Sequence, residues 1–184
     1  MVGVNGARWG HRYVGPSALL ALVGPGAEGR SVRSAADLDD VASATGAAEP
    51  AEPFTFVVDL AGVLRLAPRR SEHVVCAGGE PVLAAGEMGL RREAGRWVVD
   101  EVSNQSTGYC PDVASWPAVA DALDSAGIGH PGGFTHEVVF RRCPGCGQVN
   151  IVREQHFFCV FCDGALPREW NVDGTRPGGA GAGR

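Results

Sequence analysis

Two C-x-x-C pairs constrain this chain more than any other feature: Cys143-Pro144-Gly145-Cys146 and, twelve residues on, Cys159-Val160-Phe161-Cys162. Each pair bends the backbone so that two sulfurs face one side of a tight loop, within reach of backbone N–H groups. Gly147 and Gly164 are expected to supply the positive φ that such a loop needs. Two loops facing each other complete a tetrahedron of thiolates about 2.3 Å from a zinc ion. A four-thiolate site leaves no open coordination position, so the metal is expected to be structural and not catalytic. Iron in the same site, or a pair of disulfides, are the other readings of these four residues. The segment between the pairs, Val149-Asn150-Ile151-Val152 and then His156-Phe157-Phe158, reads as a β-hairpin carrying the second loop.

The constellation from about Phe140 to Leu166 resembles the zinc ribbon, or rubredoxin-like, family. That resemblance implies a bound Zn²⁺ and is silent on function, since such modules serve as nucleic-acid contacts, protein contacts or staples. Arg141, Arg142 and Arg153 lie close in sequence to Phe157, Phe158 and Phe161. They form a modest basic-aromatic patch that could grip a phosphate backbone or stack bases. The plainer reading is one buried hairpin face with a few solvated arginines, and Glu154 weakens the patch. Zinc deaminases need H-x-E followed by P-C-x-x-C. Here His136 and Glu137 are adjacent, and Pro144 lies inside the C-x-x-C.

Around this module, composition sets bounds. The chain has 184 residues, 45% hydrophobic and 20% charged, enough for one globular domain plus a small appendage. All 16 basic residues are arginine. With Ala, Gly, Val and Pro also plentiful, that points to a GC-rich bacterial genome. It also excludes Schiff-base and P-loop lysines. A net charge of −5 excludes a global basic field for nucleic acid. No stretch approaches the roughly 18 apolar residues needed to cross a bilayer. Val14–Val23 faintly resembles a signal peptide, but Pro16 interrupts it and no A-x-A site follows. Four of six cysteines in metal spacing suggest a reducing compartment, so a cytoplasmic location is expected.

Four segments are expected. Residues 1–53 read as a low-complexity, largely disordered head. One short helix is plausible within it, capped by Ser34 with Asp37 three residues on and Leu38 and Val41 on one face. Ala47–Pro53 is linker-like. Residues 54–140 read as a β-rich domain. Its strands are Phe54–Val58, Val63–Leu66, Pro81–Leu90 and Trp97–Val102, with turns at Asp59–Gly62 and Ala94-Gly95. A helix follows, with Ser115 as N-cap, Pro117 in its first turn, a stripe of Trp116, Val119, Ala120 and Leu123, and Gly127 at its end. Phe134–Phe140 alternates into a strand that feeds the zinc ribbon, residues 141–168. Residues 169–184 are a Gly-rich tail expected to be disordered. The fold class is therefore α+β: a small antiparallel sheet or partial barrel with one packing helix, then the ribbon.

Small polar residues cluster in Glu101–Pro111, after a strand and before a helix, where binding loops commonly lie. Ala84-Ala85-Gly86-Glu87 followed by Ser106-Thr107-Gly108-Tyr109-Cys110-Pro111 resembles an A-A-G-E…S-G-H-Y-x-P pattern of uncharacterised bacterial and plant β-rich proteins. Here the histidine is missing and Thr107 is inserted. The resemblance implies a shared scaffold and a ligand groove, with Asn104, Gln105, Ser106 and Tyr109 as candidate ligand-binding residues. The alternative is that these are turn residues bonded to their own backbone, with Tyr109 a buried aromatic. Cys110, just ahead of a helix, is a candidate nucleophile if His73, His130 or His136 lies in reach. Otherwise it is a packed thiol, as Cys76 is expected to be. Glu72, Glu80 and Glu87 are candidate acid–base carboxylates or solvated strand-end charges.

The reading that best joins these features is a non-catalytic, zinc-stabilised binding or adaptor protein, its partner a protein or a small ligand. An enzyme using Cys110, His136, His73 or Glu87 is the first alternative. Nucleic-acid binding through the ribbon is the second.

Overall fold

A computed structural model describes residues 10–44, 50 and 52–172. Most of the linker-like stretch 47–53, and residues 173–184 of the tail, lie outside the described residues. The chain divides into two units, Met1–Val139 and Phe140–Arg184.

The first unit is built on a five-stranded antiparallel sheet in the order β1-β3-β2-β4-β5, open at both edges rather than closed into a barrel. The strands are β1 (Arg30–Val32), β2 (Phe54–Asp59), β3 (Leu64–Ala67), β4 (Val82–Glu93) and β5 (Arg96–Val102). The central strand β2 is buried on both faces, which accounts for its unbroken Phe-Thr-Phe-Val-Val run. Phe54, Phe56 and Val58 face the larger core, and Val57 faces the smaller one. Thr55 resolves its polarity by donating its hydroxyl toward Arg69 O and Ser71 O.

The turns follow from their residues. Asp59 Oδ1 accepts from Ala61 N and Val63 N, and its Oδ2 pairs with Arg65 Nε at 3.0 Å. Ala94 and Gly95 both have positive φ, as a two-residue hairpin loop requires.

Helices cover both faces. On the larger core lie α1 (Ala35–Ser43) and α3 (Trp116–Ala126). Ser34 Oγ accepts from Asp37 N, and the Asp37 carboxylate accepts from Arg33 N, so each end of the cap is reciprocally closed. In α3, Val119, Ala122, Leu123 and Ala126 are buried, and each fully buried Val or Leu contributes about 1.5–3 kcal/mol. Gly127 (φ 70) ends the helix and Ile128 N returns to Leu123 O. Ser115 makes no side-chain cap. Asp112 instead caps the 3₁₀ turn Val113–Ser115 that leads in. On the smaller core lie α2 (His73–Cys76) and the 3₁₀ turn Ser17–Leu22. They pack Val74, Cys76, Leu19 and Val23 around Tyr109.

Several expectations are corrected here. The described part of the head carries regular structure: β1 pairs with β3, and α1 buries Leu38 and Val41 in the main core. The packing helix is not single, since three α-helices are present among the described residues. Of the strand expected over 134–140, only Val139 and Phe140 enter β6. The earlier part is an irregular segment with one bridge, His136 to Ser103.

The second unit contains β6 (Val139–Arg142, whose first residue closes unit one) paired with β7 (Val149–Val152). Its buried core is Cys143, Cys159 and Leu166, flanked by Val152 and Phe157. The hairpin differs from the expected one: β7 pairs back with β6 across the first C-x-x-C. The second C-x-x-C sits on a turn of its own, closed by the Phe158–Ala165 bridge. The start of the expected tail is also ordered. Asn171 accepts from Arg142 N and donates to Arg142 O, and Val172 is buried.

Candidate metal centre

Each C-x-x-C is held by the same backbone bonds. In the first, Cys143 N donates to Gln148 O and Gly147 N to Cys143 O. In the second, Cys159 N donates to Gly164 O and Asp163 N to Cys159 O. The residue after the last cysteine carries positive φ in both: Gly147 at 76° and Asp163 at 57°. Asp163, and not Gly164 as the sequence suggested, takes the left-handed position. A Cβ at Gly164 would stand 3.4 Å from Cys162 Sγ and 3.6 Å from Cys143 Sγ, in ordinary van der Waals contact with both.

The two loops bring the four Sγ atoms within 4.8 Å of one another. Cys143 and Cys162 approach to 3.6 Å, as do Cys146 and Cys159. A regular tetrahedron of sulfurs around zinc has edges of ~3.8 Å, given Zn–S of about 2.3 Å. A disulfide needs about 2.05 Å. The sulfur separations therefore fit a metal ion and not two cross-links.

The charges argue the same way. The Cys146 N–H holds the Cys143 thiol below its ordinary value. Burial pushes Cys159 up, but the Phe161 N–H, the Asn150 side chain and the Cys162 N–H outweigh it and bring the thiol down to about 6. The Gly164 N–H favours the Cys162 thiolate, yet the sulfurs of Cys143, Cys146 and Cys159 push it up to about 12. Without a cation, four adjacent sulfurs cannot all ionise. A divalent metal held there would supply the missing charge.

A supporting residue that the sequence reading passed over is Asn150. It is buried in β7, donates from Nδ2 to Cys159 Sγ at 3.4 Å, and accepts from Val160 N at 2.9 Å. It ties the strand to the second loop and orients one ligand, as outer residues of metal sites do. A polar side chain inside the Val149–Val152 run was the available signal.

Of the expected basic-aromatic patch, Arg153, Phe158 and Phe161 are exposed, while Arg141 is buried and Arg142 is engaged with backbone. Arg141 is 9% exposed, and its guanidinium donates to the carbonyls of Phe140, Pro167 and Arg168. Arg142 donates to Val172 O and Gly147 O. Arg168 Cζ lies over Phe157, 4.3 Å from the phenyl ring centroid. Exposed instead are Phe158 (51%), Val160 (75%) and Phe161 (63%), on and beside the second loop.

In the first unit, the candidate ligand loop lies mostly in the interior. Asn104 is fully buried. It donates to Pro111 O and Val138 O and accepts from Val138 N at 2.7 Å. Ser106 is buried and accepts from Tyr109 N. Tyr109 is buried, donates its hydroxyl to Glu80 O at 2.7 Å, and burial raises its pKa. Of these four candidate residues only Gln105 is exposed.

Gly86 explains the small-residue run in β4. A Cβ there would lie 1.8 Å from Ser103 O, so the backbone of the loop crosses directly over it. The A-A-G-E segment is thus a close-approach device.

The catalytic candidates are spread out in their bonding. Cys110, buried with φ 45°, directs its thiol to Thr107 O at 3.3 Å. His73 bonds Gly86 O at 2.9 Å, and burial lowers its pKa against the pull of that carbonyl, Glu87 and Glu72. His136, exposed, bonds Thr135 Oγ1, and His130 bonds Asp124 and Pro131 O. Cys76 is pushed up to about 12 by burial and is a packed thiol. A cavity of about 40 Å³ touches Tyr13, Glu72, His73, Thr107 and Gly108, room for water and little more. Among the described residues, no helix is long and apolar enough to cross a membrane. No protein-family profile, curated protein or solved structure matches the chain.

Proposed function

We propose that this chain is a non-catalytic binding module whose C-terminal unit is a zinc ribbon presenting an apolar surface to a protein partner. The observation that carries this reading is the four-cysteine cluster with Phe158, Val160 and Phe161 exposed on and beside its second loop. Large hydrophobic residues at such exposure stand out on a unit whose own core is small, and contiguous exposed apolar surface marks interaction sites. A closed four-thiolate set supports zinc as a staple. Zinc is preferred to iron because the site gains nothing from redox chemistry in a staple. A reducing compartment such as the cytoplasm would keep the thiols available to metal.

The other two readings lose ground. Nucleic-acid binding needs Arg141, Arg142 and Arg153 on one exposed face, and the first is buried in backbone contacts. Catalysis needs a histidine against Cys110. His73 bonds Gly86 O and His136 bonds Thr135 Oγ1, and neither of these bonds runs to Cys110.

The test compares wild type with a Phe158→Ser/Phe161→Ser double variant of equal zinc content, each used to capture components of an extract. A defined set of proteins held by wild type and lost from the variant supports the reading. Identical capture by both, or capture of nucleic acid that weakens steeply with salt, sinks it.

A further inference from the structure

The four sulfurs are not equivalent. Cys143 and Cys159 are 1% exposed, whereas Cys146 and Cys162 are open to solvent. Each loop therefore contributes one buried cysteine at its start and one exposed cysteine at its end. Across the loops, each exposed cysteine faces a buried one: Cys162 Sγ stands 3.6 Å from Cys143 Sγ, and Cys146 Sγ stands 3.6 Å from Cys159 Sγ. Shielding of Cys159 is reinforced by hydrogen bonds from Asn150 Nδ2 and Phe161 N, which occupy its lone pairs.

We propose that the centre is a peroxide-responsive switch, in which Cys146 and Cys162 react first and Cys159 and Cys143 resolve them, releasing the metal. This rests on the zinc reading above. In the first step an accessible thiolate attacks one oxygen of hydrogen peroxide. The S–O bond forms, the O–O bond breaks, and hydroxide leaves. The sulfur gives up two electrons and becomes a sulfenic acid. In the second step the shielded thiolate across the loop attacks that sulfur, the S–S bond forms, and hydroxide leaves again. Per pair, two thiolates and one peroxide give one disulfide and two hydroxides. Sulfur–sulfur separation falls from 3.6 Å to about 2.05 Å, so the tetrahedron closes up and cannot hold zinc.

Loss of the ion matters because the buried core of this unit is Cys143, Cys159 and Leu166 with two flanking side chains. Two of the three buried residues of that cluster are cysteines of the proposed metal site. Oxidation would thus remove the support beneath Phe158, Val160 and Phe161, and switch the apolar surface off. A thiol reductant with zinc would restore it.

The experiment uses the full chain with zinc bound. Zinc per chain is measured before any treatment. A value near zero counts against the zinc reading itself and, because the switch is built on it, against the switch too. Peroxide is then titrated in while a colorimetric chelator reports released zinc. A parallel sample contains dimedone to trap sulfenic acids for mass-spectrometric mapping. The expected results are zinc release that dithiothreitol and added zinc reverse, dimedone on Cys146 and Cys162, and Cys143–Cys162 and Cys146–Cys159 disulfides in the untrapped sample. Asn150→Ala, which uncovers Cys159, should release zinc severalfold faster. Zinc present at one per chain but retained while Cys76 or Cys110 oxidises would overturn the switch and leave the zinc reading standing. So would first adducts on Cys143 or Cys159.

Discussion

Asn104 makes three hydrogen bonds from a fully buried position, two to Val138 and one to Pro111. Removing its amide strands a backbone N–H and two carbonyls where water has little access. At ~1 kcal/mol per bond, with a further penalty for each group left buried and unpaired, Asn104→Ala should cost about 2–4 kcal/mol. A urea titration followed by tryptophan fluorescence measures this, and a loss under about 0.5 kcal/mol would show that the loop is not held by that side chain. Gly86→Ala should be at least as harmful, because the new methyl would collide with the backbone at Ser103 O rather than with a side chain that can rotate away. The two left-handed positions of the metal loops give a pair of opposite sign. Gly147→Ala places a Cβ at φ 76° and should cost about 1–2 kcal/mol. Asp163→Gly relieves the same strain at φ 57° and should raise thermal stability or zinc affinity slightly. Zinc competition with a chromophoric chelator reads both.

His73 opens α2, and its ring lies over β4 through the bond to Gly86 O. Burial holds its pKa below the ordinary 6.5, so the unfolded chain binds the proton more readily than the folded one. Stability from this residue is therefore full above 6.5, and falls as pH drops through that value. It levels off only below the depressed folded value. Urea midpoints between about pH 7.5 and 5 should show a decline that His73→Gln reduces, and an unchanged slope in the variant would assign the decline to other groups. Nothing in the sequence announced α2. Four residues carry no periodicity, and His-Val-Val-Cys reads as easily as a strand. Strand β1 was hidden for a related reason. Three residues within a Gly-rich stretch have little propensity of their own, and their pairing with β3 is a tertiary decision. By contrast β2, the Ala94-Gly95 hairpin, the Ser34 cap and the Gly127 stop were legible, because each is dictated within a few residues. The cysteine cluster was legible too, since spacing alone brings the sulfurs together. The exposed Phe158 and Phe161 were not, because a sequence does not say which aromatic turns inward; Phe157 packs against the Cys143, Cys159 and Leu166 cluster with the Arg168 guanidinium over its ring.

At the scale of the whole molecule, the two units differ in what holds them. The first has a two-faced sheet with a core of more than twenty buried hydrophobic residues on one side alone. The second has five buried hydrophobic residues among those described, Phe140, Cys143, Cys159, Leu166 and Val172, two of them cysteines. A segment of that size does not bury enough apolar surface to offset its chain entropy. Structural zinc in small modules supplies an apparent ~10–16 kcal/mol at neutral pH, which is ample. Stripping the metal should therefore unfold residues 140–172 and leave residues 54–126 folded. Amide hydrogen exchange before and after treatment with a strong chelator separates the two. Protection in β6 and β7 should vanish, while protection in β2, β4 and α3 persists. Because the ligands must be deprotonated, acid should produce the same selective loss as protons compete for the thiolates, and rising pH should reverse it. If β6 and β7 keep their protection after the metal is gone, the four cysteines are not what folds this unit. If β2 and β4 lose theirs as well, the sheet depends on the second unit in a way its own core does not explain.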